Sequence, residues 1–419
     1  MKNLYMALIS AVVTGLLASS LASAEQVNIP QTVNVDDQSR PVVSEFIHGV
    51  LENHPSLASA RANLTAARAR ARGQSRPLYN PELELGYEKG EVTTREIGVS
   101  QAFDLSGKRG ARSHVANAEV DAAVAAFDVE QKNLSVSLLM ALANYQTSHE
   151  LFNLSQQSVQ LSESFLELAE RRNLAGDLPL SELLTAKLAL AEAKVEQSLA
   201  LGELSVAKEA LTALSGQQRQ MWPLLQNNPP ENLPTLKADS ITSLPELRLS
   251  RALSEVSKNR IRVAQRGRIP DPTIGARFGE EGQSSLFGLN VSIPIPVRNS
   301  YGAEVDAARA NYLALEQDYQ TIFRNASARL EATKNRYLGA TSSWQVWKVS
   351  GATSLAQQRQ IIQQFWQAGE ISAVNYFIQL GQTITAEKSS IELRGRLWGA
   401  WFQWLDASSQ INNWMETIR

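Results

Sequence analysis

Four histidines are the first residues in this chain that could do chemistry. His48, His54, His114 and His149 are scattered, and none stands in an HExxH or other paired spacing. With no Cys, five Met and four His in the whole chain there is no soft-ligand relay, no thiolate site, no disulfide and no lipid-modified N-terminal Cys. GxSxG, P-loop and GxGxxG patterns are absent, and SGKRG at 106–110 has the wrong glycine spacing for a phosphate cradle. No catalytic residue, metal ligand or cofactor is therefore assigned, and the chain is expected not to be an enzyme. A formal charge of −2 and 7% aromatic residues give no footprint for nucleic acid. What remains is electrostatic. Glu82, Glu84, Glu88 and Glu96, with Arg277 and Asn290, alternate with apolar residues along short stretches. On one parity these side chains would line a wet wall, where carboxylates favour cations; plain solubility of that wall explains them equally well.

The elements carrying that alternation are two matched segments. Residues 81–103 put Leu83, Leu85, Tyr87, Ile97, Val99 and Phe103 on one face. Residues 272–293 do the same with Ile274, Phe278, Phe287, Leu289, Val291 and Ile293. Period-two alternation over about ten residues is the length of a tilted membrane strand. The loops KGEVTT and GEEGQSS make each segment a hairpin, spanning 81–104 and 271–296.

Behind each hairpin runs a long stretch poor in helix breakers. Ala111 to Ala175 contains neither Gly nor Pro, and at 1.5 Å per residue it would be roughly 98 Å long. Ala303 to Ala368 is interrupted only by Gly339 and Gly351. Each run ends in an Ala-Gly-acid turn, at 175–179 and 368–372, and a second helix follows. Gly176 and Gly369 suit the left-handed residue that closes a helix, Asp177 and Glu370 lie near the next helix's positive end, and Pro179 suits that helix's first turn. The Trp-rich stretch with Trp398, Trp401 and Trp404 falls partway along the returning helix and is expected to pack a mid-height collar.

The chain thus reads as a tandem duplication. Residues 1–24 have the layout of a signal peptide, with an Ala-x-Ala site at 22–24. A first repeat spans 25–214, a Pro-rich linker 215–242 and a second repeat 243–419. No apolar stretch after residue 24 approaches the roughly 20 residues of a spanning helix, so any membrane entry must be as a β-barrel. Four strands cannot close one, since the smallest have about eight. Identical copies must pool their strands.

This layout resembles the TolC-like outer membrane factor family, on NHPSLASARANLTAARARARGQ, NPELELGYE, GVSQAFDLSGKRGAR, RIPDPTIGARFGE and FGLNVSIPIPVRNSYGAEVDAARA, together with the AGD and AGE tips. Within it, DLSGKRGAR and SIPIPVRN are most similar to the outer membrane subunits of heavy-metal cation efflux systems. The resemblance implies a mainly α fold: a long periplasmic α-barrel with four strands per protomer, pooled by a homotrimer into a twelve-stranded barrel in the outer membrane lipid. It implies a passive duct working with a periplasmic adaptor (membrane fusion protein) and an inner membrane RND pump. The barrel lumen would hold Glu82, Glu84, Glu88, Glu96, Arg277 and Asn290. Gate and adaptor docking would fall to Gly176, Asp177, Leu178, Glu182, Gly369, Glu370, Ile371 and Asn375. An acidic pair that some relatives carry after the second tip is replaced here by Asn375 and Ile378. A duct for drugs or for type I secretion has the same outline. A soluble periplasmic adaptor or a structural coiled coil is the rival of another class.

Overall fold

The computed structural model describes residues 42–219, 221–225, 228–236 and 240–417. The expected signal peptide lies outside them. Two short helices, α1 (Val43–Asn53) and α2 (Pro55–Gln74), lead into the hairpin β1 (Glu82–Lys89) and β2 (Thr93–Ala102). Helix α3 (Lys108–Leu174) then runs 67 residues without a break, and α4 (Leu180–Ser215) returns along it. The second half repeats the plan with α5 (Pro245–Gly267), β3 (Thr273–Glu281), β4 (Ser284–Ser292) and α6 (Gly302–Val346). A π turn (Trp347–Gly351) separates α6 from α7 (Ala352–Ala368); α8 (Ala373–Ser408) and the short α9 (Ile411–Thr417) follow. Helices α4 and α8 are both 36 residues long. Among the described residues no helix is long and apolar enough to cross a membrane.

Helix α3 opens after Gly107, at φ 74°, with three basic residues in its first turns. Positive charge there opposes the helix dipole. Asp104 offsets it by accepting from the backbone N–H groups of Lys108 and Arg109, each at 2.8 Å. At mid-length α3 presents Leu138, Leu139 and Leu142, all fully buried, to Trp398, Trp401, Phe402 and Trp404 of α8. Each such side chain contributes about 1.5–3 kcal/mol by leaving water, so this collar is the main apolar core. The segment after α4 joins it: Trp222 and Leu225 are buried there, and Tyr337 of α6 donates its hydroxyl to the Pro230 carbonyl. Phe46 of α1 meets Trp222 edge-on at 5.7 Å, and α1 is thereby fixed to the collar. Lys132 and Arg329 bridge Glu246 and Asp406, an ion-pair network joining α3, α5, α6 and α8.

The strands form one antiparallel sheet in the order β1-β2-β3-β4. Consecutive hairpins lie side by side, β2 pairing β3 from Thr94↔Glu281 to Ala102↔Thr273. Three details differ from the sequence expectation. The first hairpin turns within Gly90, Glu91 and Val92, because Lys89, Thr93 and Thr94 of the KGEVTT loop are in the ladder. The second hairpin is tighter than its GEEGQSS loop suggested: Glu280, Glu281, Ser284 and Ser285 are in the ladder, and Gly282, at φ 65°, turns the chain with Gln283 alone. Pro179 is the residue before the first turn of α4 rather than part of it.

Candidate functional site: a two-faced sheet and paired tips

Register sorts the strand side chains by parity. Leu83 faces Val99, Leu85 faces Ile97, Ile97 faces Phe278, Phe278 faces Phe287, Ala276 faces Leu289 and Ile274 faces Val291. All of these share one side of the sheet with Tyr87. Phe103 and Ile293 lie just past the strand ends on the same parity. The side is apolar and bare, with Leu85 76% and Leu289 71% exposed. Phe278 and Phe287 pack ring to ring at 4.8 Å.

The opposite side carries Glu82, Glu84, Glu88 and Glu96, with Arg277 and Asn290. Glu281 joins them, which the sequence reading missed because it placed that residue in the loop. Arg277 lies 3.6 Å from Glu96, and the Ser100 hydroxyl donates to Glu84 at 2.7 Å. Every strand glycine is on this side as well: Gly86, Gly98, Gly275, Gly279 and Gly288. A Cβ on Gly86 would come within 2.6 Å of the Glu96 side chain, one on Gly275 within 2.3 Å of Asn290, and one on Gly288 within 2.7 Å of Arg277. The three long polar side chains therefore lie flat over glycine. Five carboxylates face one guanidinium on this wall, a field that attracts cations.

At the base, Asp271 of the second half, almost fully buried, accepts from Lys108 at 2.8 Å and from the Tyr79 hydroxyl at 2.6 Å. Nothing local in the sequence pairs these residues.

At the other end the two turns have one backbone plan. Gly176, at φ 84°, donates to the Asn173 carbonyl, and Asp177 to the Arg172 carbonyl at 2.9 Å. Gly369, at φ 75°, donates to the Trp366 carbonyl, and Glu370 to the Phe365 carbonyl at 2.9 Å. This pair of bonds closes a helix through a left-handed residue, which only Gly adopts without penalty. Leu178 is buried beneath the turn and Ile371 half-buried, whereas Gly176, Asp177, Gly369, Glu370 and Asn375 are exposed. Glu182 does not stand free. Its carboxylate accepts from the Ala373 N–H at 3.2 Å, so a residue of the first tip caps the helix of the second. Phe165, Trp366, Tyr376 and Phe377 bind the tips together, with Arg172 4.5 Å above the Trp366 ring. Burial raises the Tyr376 hydroxyl above the usual phenol range. Along α4, Leu180, Leu184, Leu188, Val195, Leu199 and Val206 form an exposed apolar stripe, each 56% accessible or more.

The histidines are dispersed. His48 bonds the Ser44 carbonyl, His54 caps α2 through Ser56, and His149 lies against Tyr145 and Asn153.

Residues 46–217 match the family described as "Outer membrane efflux protein". The chain is 25% identical to the cobalt-zinc-cadmium resistance protein CzcC of Cupriavidus metallidurans, over 77% of this chain and 82% of that protein. It is 24% identical to the nickel-cobalt-cadmium resistance protein NccC of Alcaligenes xylosoxydans xylosoxydans, over 71% and 70%. Its fold is similar to that of CusC, whose crystal structures are described in terms of folding and transmembrane channel formation. The TM-score is 0.75 at 16% identity, covering 88% of this chain and 92% of that one.

Proposed function

We propose that this chain is a member of the outer membrane efflux protein family, which its residues 46–217 match, and that three copies of it form a passive duct through the outer membrane that exports divalent heavy-metal cations. The observation that carries the reading is the two-faced sheet with bare outer edges. Strands β1 and β4 each pair on one side only, and the exposed apolar face has no cover among the described residues. Four strands with a lipid-compatible face and a charged face are one sector of a barrel, and three sectors give twelve strands.

On this reading Leu83, Leu85, Tyr87, Ile97, Val99, Ile274, Phe278, Phe287, Leu289 and Val291 meet lipid. Glu82, Glu84, Glu88, Glu96, Glu281, Arg277 and Asn290 line the water. The α4 stripe from Leu180 to Val206 packs against the next copy. A periplasmic adaptor linked to an inner membrane RND pump docks on the exposed tip residues Gly176, Asp177, Gly369, Glu370 and Asn375. Leu178, Ile371 and Glu182 support those turns from behind. The cargo class is supported by the carboxylate-rich wall and by the resistances for which CzcC and NccC are named.

The test is twofold. Fractionation with cross-linking must recover an outer-membrane trimer, and a soluble monomer would end the proposal. Deletion must sensitise cells to cobalt, zinc, cadmium or nickel and leave a drug panel unchanged; the reverse pattern would replace metals with drugs as the cargo.

A further inference from the structure

We propose that the lipid-contacting surface continues below the strands onto Phe103, Leu105, Ile293, Ile295 and Val297, and that it ends in a cationic rim fitted to anionic phospholipid headgroups of the periplasmic leaflet. The proposal rests on the reading that the Leu83–Leu289 face meets lipid.

The strands alone carry too little apolar height. In register, Leu85, Ile97, Phe278 and Phe287 make one row, and Leu83, Val99, Ala276 and Leu289 the next. Ile274 and Val291 make a third, beside Gln101. Toward the hairpin turns the following row, Tyr87, Arg95, Glu280 and Ser285, is already polar. From Phe287 to Val291 the chain advances roughly 14 Å at about 3.4 Å per residue. At a tilt of about 40° that is roughly 10 Å of depth, against an apolar band of about 25 Å in barrels of this kind. The shortfall cannot be made up at the polar turn end, so it falls at the base.

There the alternation persists after the ladder stops. Beyond β2 the outward parity brings Phe103 and Leu105, 44% and 74% exposed. Beyond β4 it brings Ile293 and Ile295, 56% and 77% exposed, before a tight turn in which the Val297 N–H donates to the Ile295 carbonyl at 2.9 Å and leaves Val297, 84% exposed, at the end of the run. From Phe287 to Ile295 an extended chain covers roughly 27 Å, or about 21 Å of depth at the same tilt, and Val297 lies just beyond. Pro294 and Pro296 occupy the other parity. Without N–H groups they cannot lengthen the ladder toward a neighbouring strand, and they leave fewer donors to be stranded in hydrocarbon.

Charge marks where the band stops. Arg298 follows Val297, Arg109 lies shortly after Leu105, and Arg268 precedes the exposed Ile269. Arg109 and Arg298 are exposed and make no ion pair with another described residue. Arg268 is aimed by a bond from its Nε to the Ser300 carbonyl at 3.0 Å. Basic side chains at this depth attract anionic lipid.

The absence of native cysteine makes the test direct. Single substitutions Leu289→Cys, Asn290→Cys, Leu105→Cys, Ile295→Cys and Val297→Cys would be labelled with a small fluorophore. The full-length protein would then be reconstituted in phosphatidylcholine–phosphatidylglycerol vesicles carrying spin-labelled acyl chains. Strong quenching is expected for Leu289→Cys, little for Asn290→Cys, and quenching close to that of Leu289→Cys for the three base positions. Quenching at Leu289→Cys with none at Ile295→Cys and Val297→Cys overturns this proposal and leaves the barrel intact, the segment then packing on a neighbouring copy. No quenching at Leu289→Cys removes the barrel reading itself. For the rim, energy transfer should report a preference for phosphatidylglycerol over phosphatidylcholine of about threefold or more. Arg109→Gln with Arg268→Gln and Arg298→Gln should abolish it, and an unchanged preference in that triple variant refutes the rim.

Discussion

The turns at Gly176 and Gly369 share a backbone, but different side chains hold them. At the position three before the glycine, the first tip has Asn173, whose side-chain amide donates to the Leu178 carbonyl at 2.7 Å. The second tip has Trp366, 5% exposed, packed between Phe165 and Arg172 of the first half and Tyr376 of its own. Helix α8 is capped twice, by the Ser372 hydroxyl on Asn375 and by Glu182 from the other tip; α4 begins after Pro179 with no side-chain cap. The first tip is held by its own polar bonds, and the second leans on the first. The helices behind them differ in the same sense. Helix α3 is unbroken over 67 residues, whereas the second run passes through the π turn, where Trp347 lies against Gly351 so closely that an added Cβ would meet its ring at 2.4 Å. Duplicated plans thus diverge most where one copy has become the support of the other.

The largest effect that would sharpen this contrast is expected from Trp366→Ala. Loss of a buried indole costs about 3–5 kcal/mol. Hydrogen exchange should show residues 365–377 opening while residues 173–183 keep their protection; equal loss in both would break the asymmetry. Next come Gly176→Val and Gly369→Val, each forcing a branched side chain into the left-handed region at about 1–3 kcal/mol. The first should loosen both turns and the second only its own, and both should lower export; normal export by either would remove its turn from the docking surface. Smaller still, Glu182→Ala should cost about 1 kcal/mol and expose the Ala373 amide to exchange, while Asn173→Ala costs a similar amount and leaves that amide alone.

The smallest effect is alkaline. The Tyr376 phenol is raised by burial, so its contribution is fully present below its unfolded value of 10.0 and is lost as pH rises through the higher folded one. Phenolate absorbance should therefore gain a step above pH 10 that Tyr376→Phe removes. If that step is absent, Tyr376 is not shielded as the second tip requires.

The mainly helical class and the four strands were readable because their signals are local. Alternation of Leu83, Leu85 and Tyr87 with acids needs no knowledge of neighbours, nor does the Gly- and Pro-free run inside α3. What could not be read depends on which distant segments meet. Asp271 with Tyr79 and Lys108, and Glu182 with Ala373, are joined only by the packing of one half on the other. The π turn was half visible, since Gly351 marked a weak point, but the ring of Trp347 closing on it is a matter of side-chain placement. Glu281 went unplaced because a tight turn takes fewer residues than a polar loop advertises.

The glycine floor of the charged wall bears on calibre. With Glu96, Arg277 and Asn290 reclining on Gly86, Gly288 and Gly275 in that order, the bore proposed here is framed by backbone rather than by upright side chains. Its clearance then stays close to the widest that its strand number permits. A single methyl at any of these glycines would stand a long polar group upright, and three-fold repetition would turn that small change into a constriction.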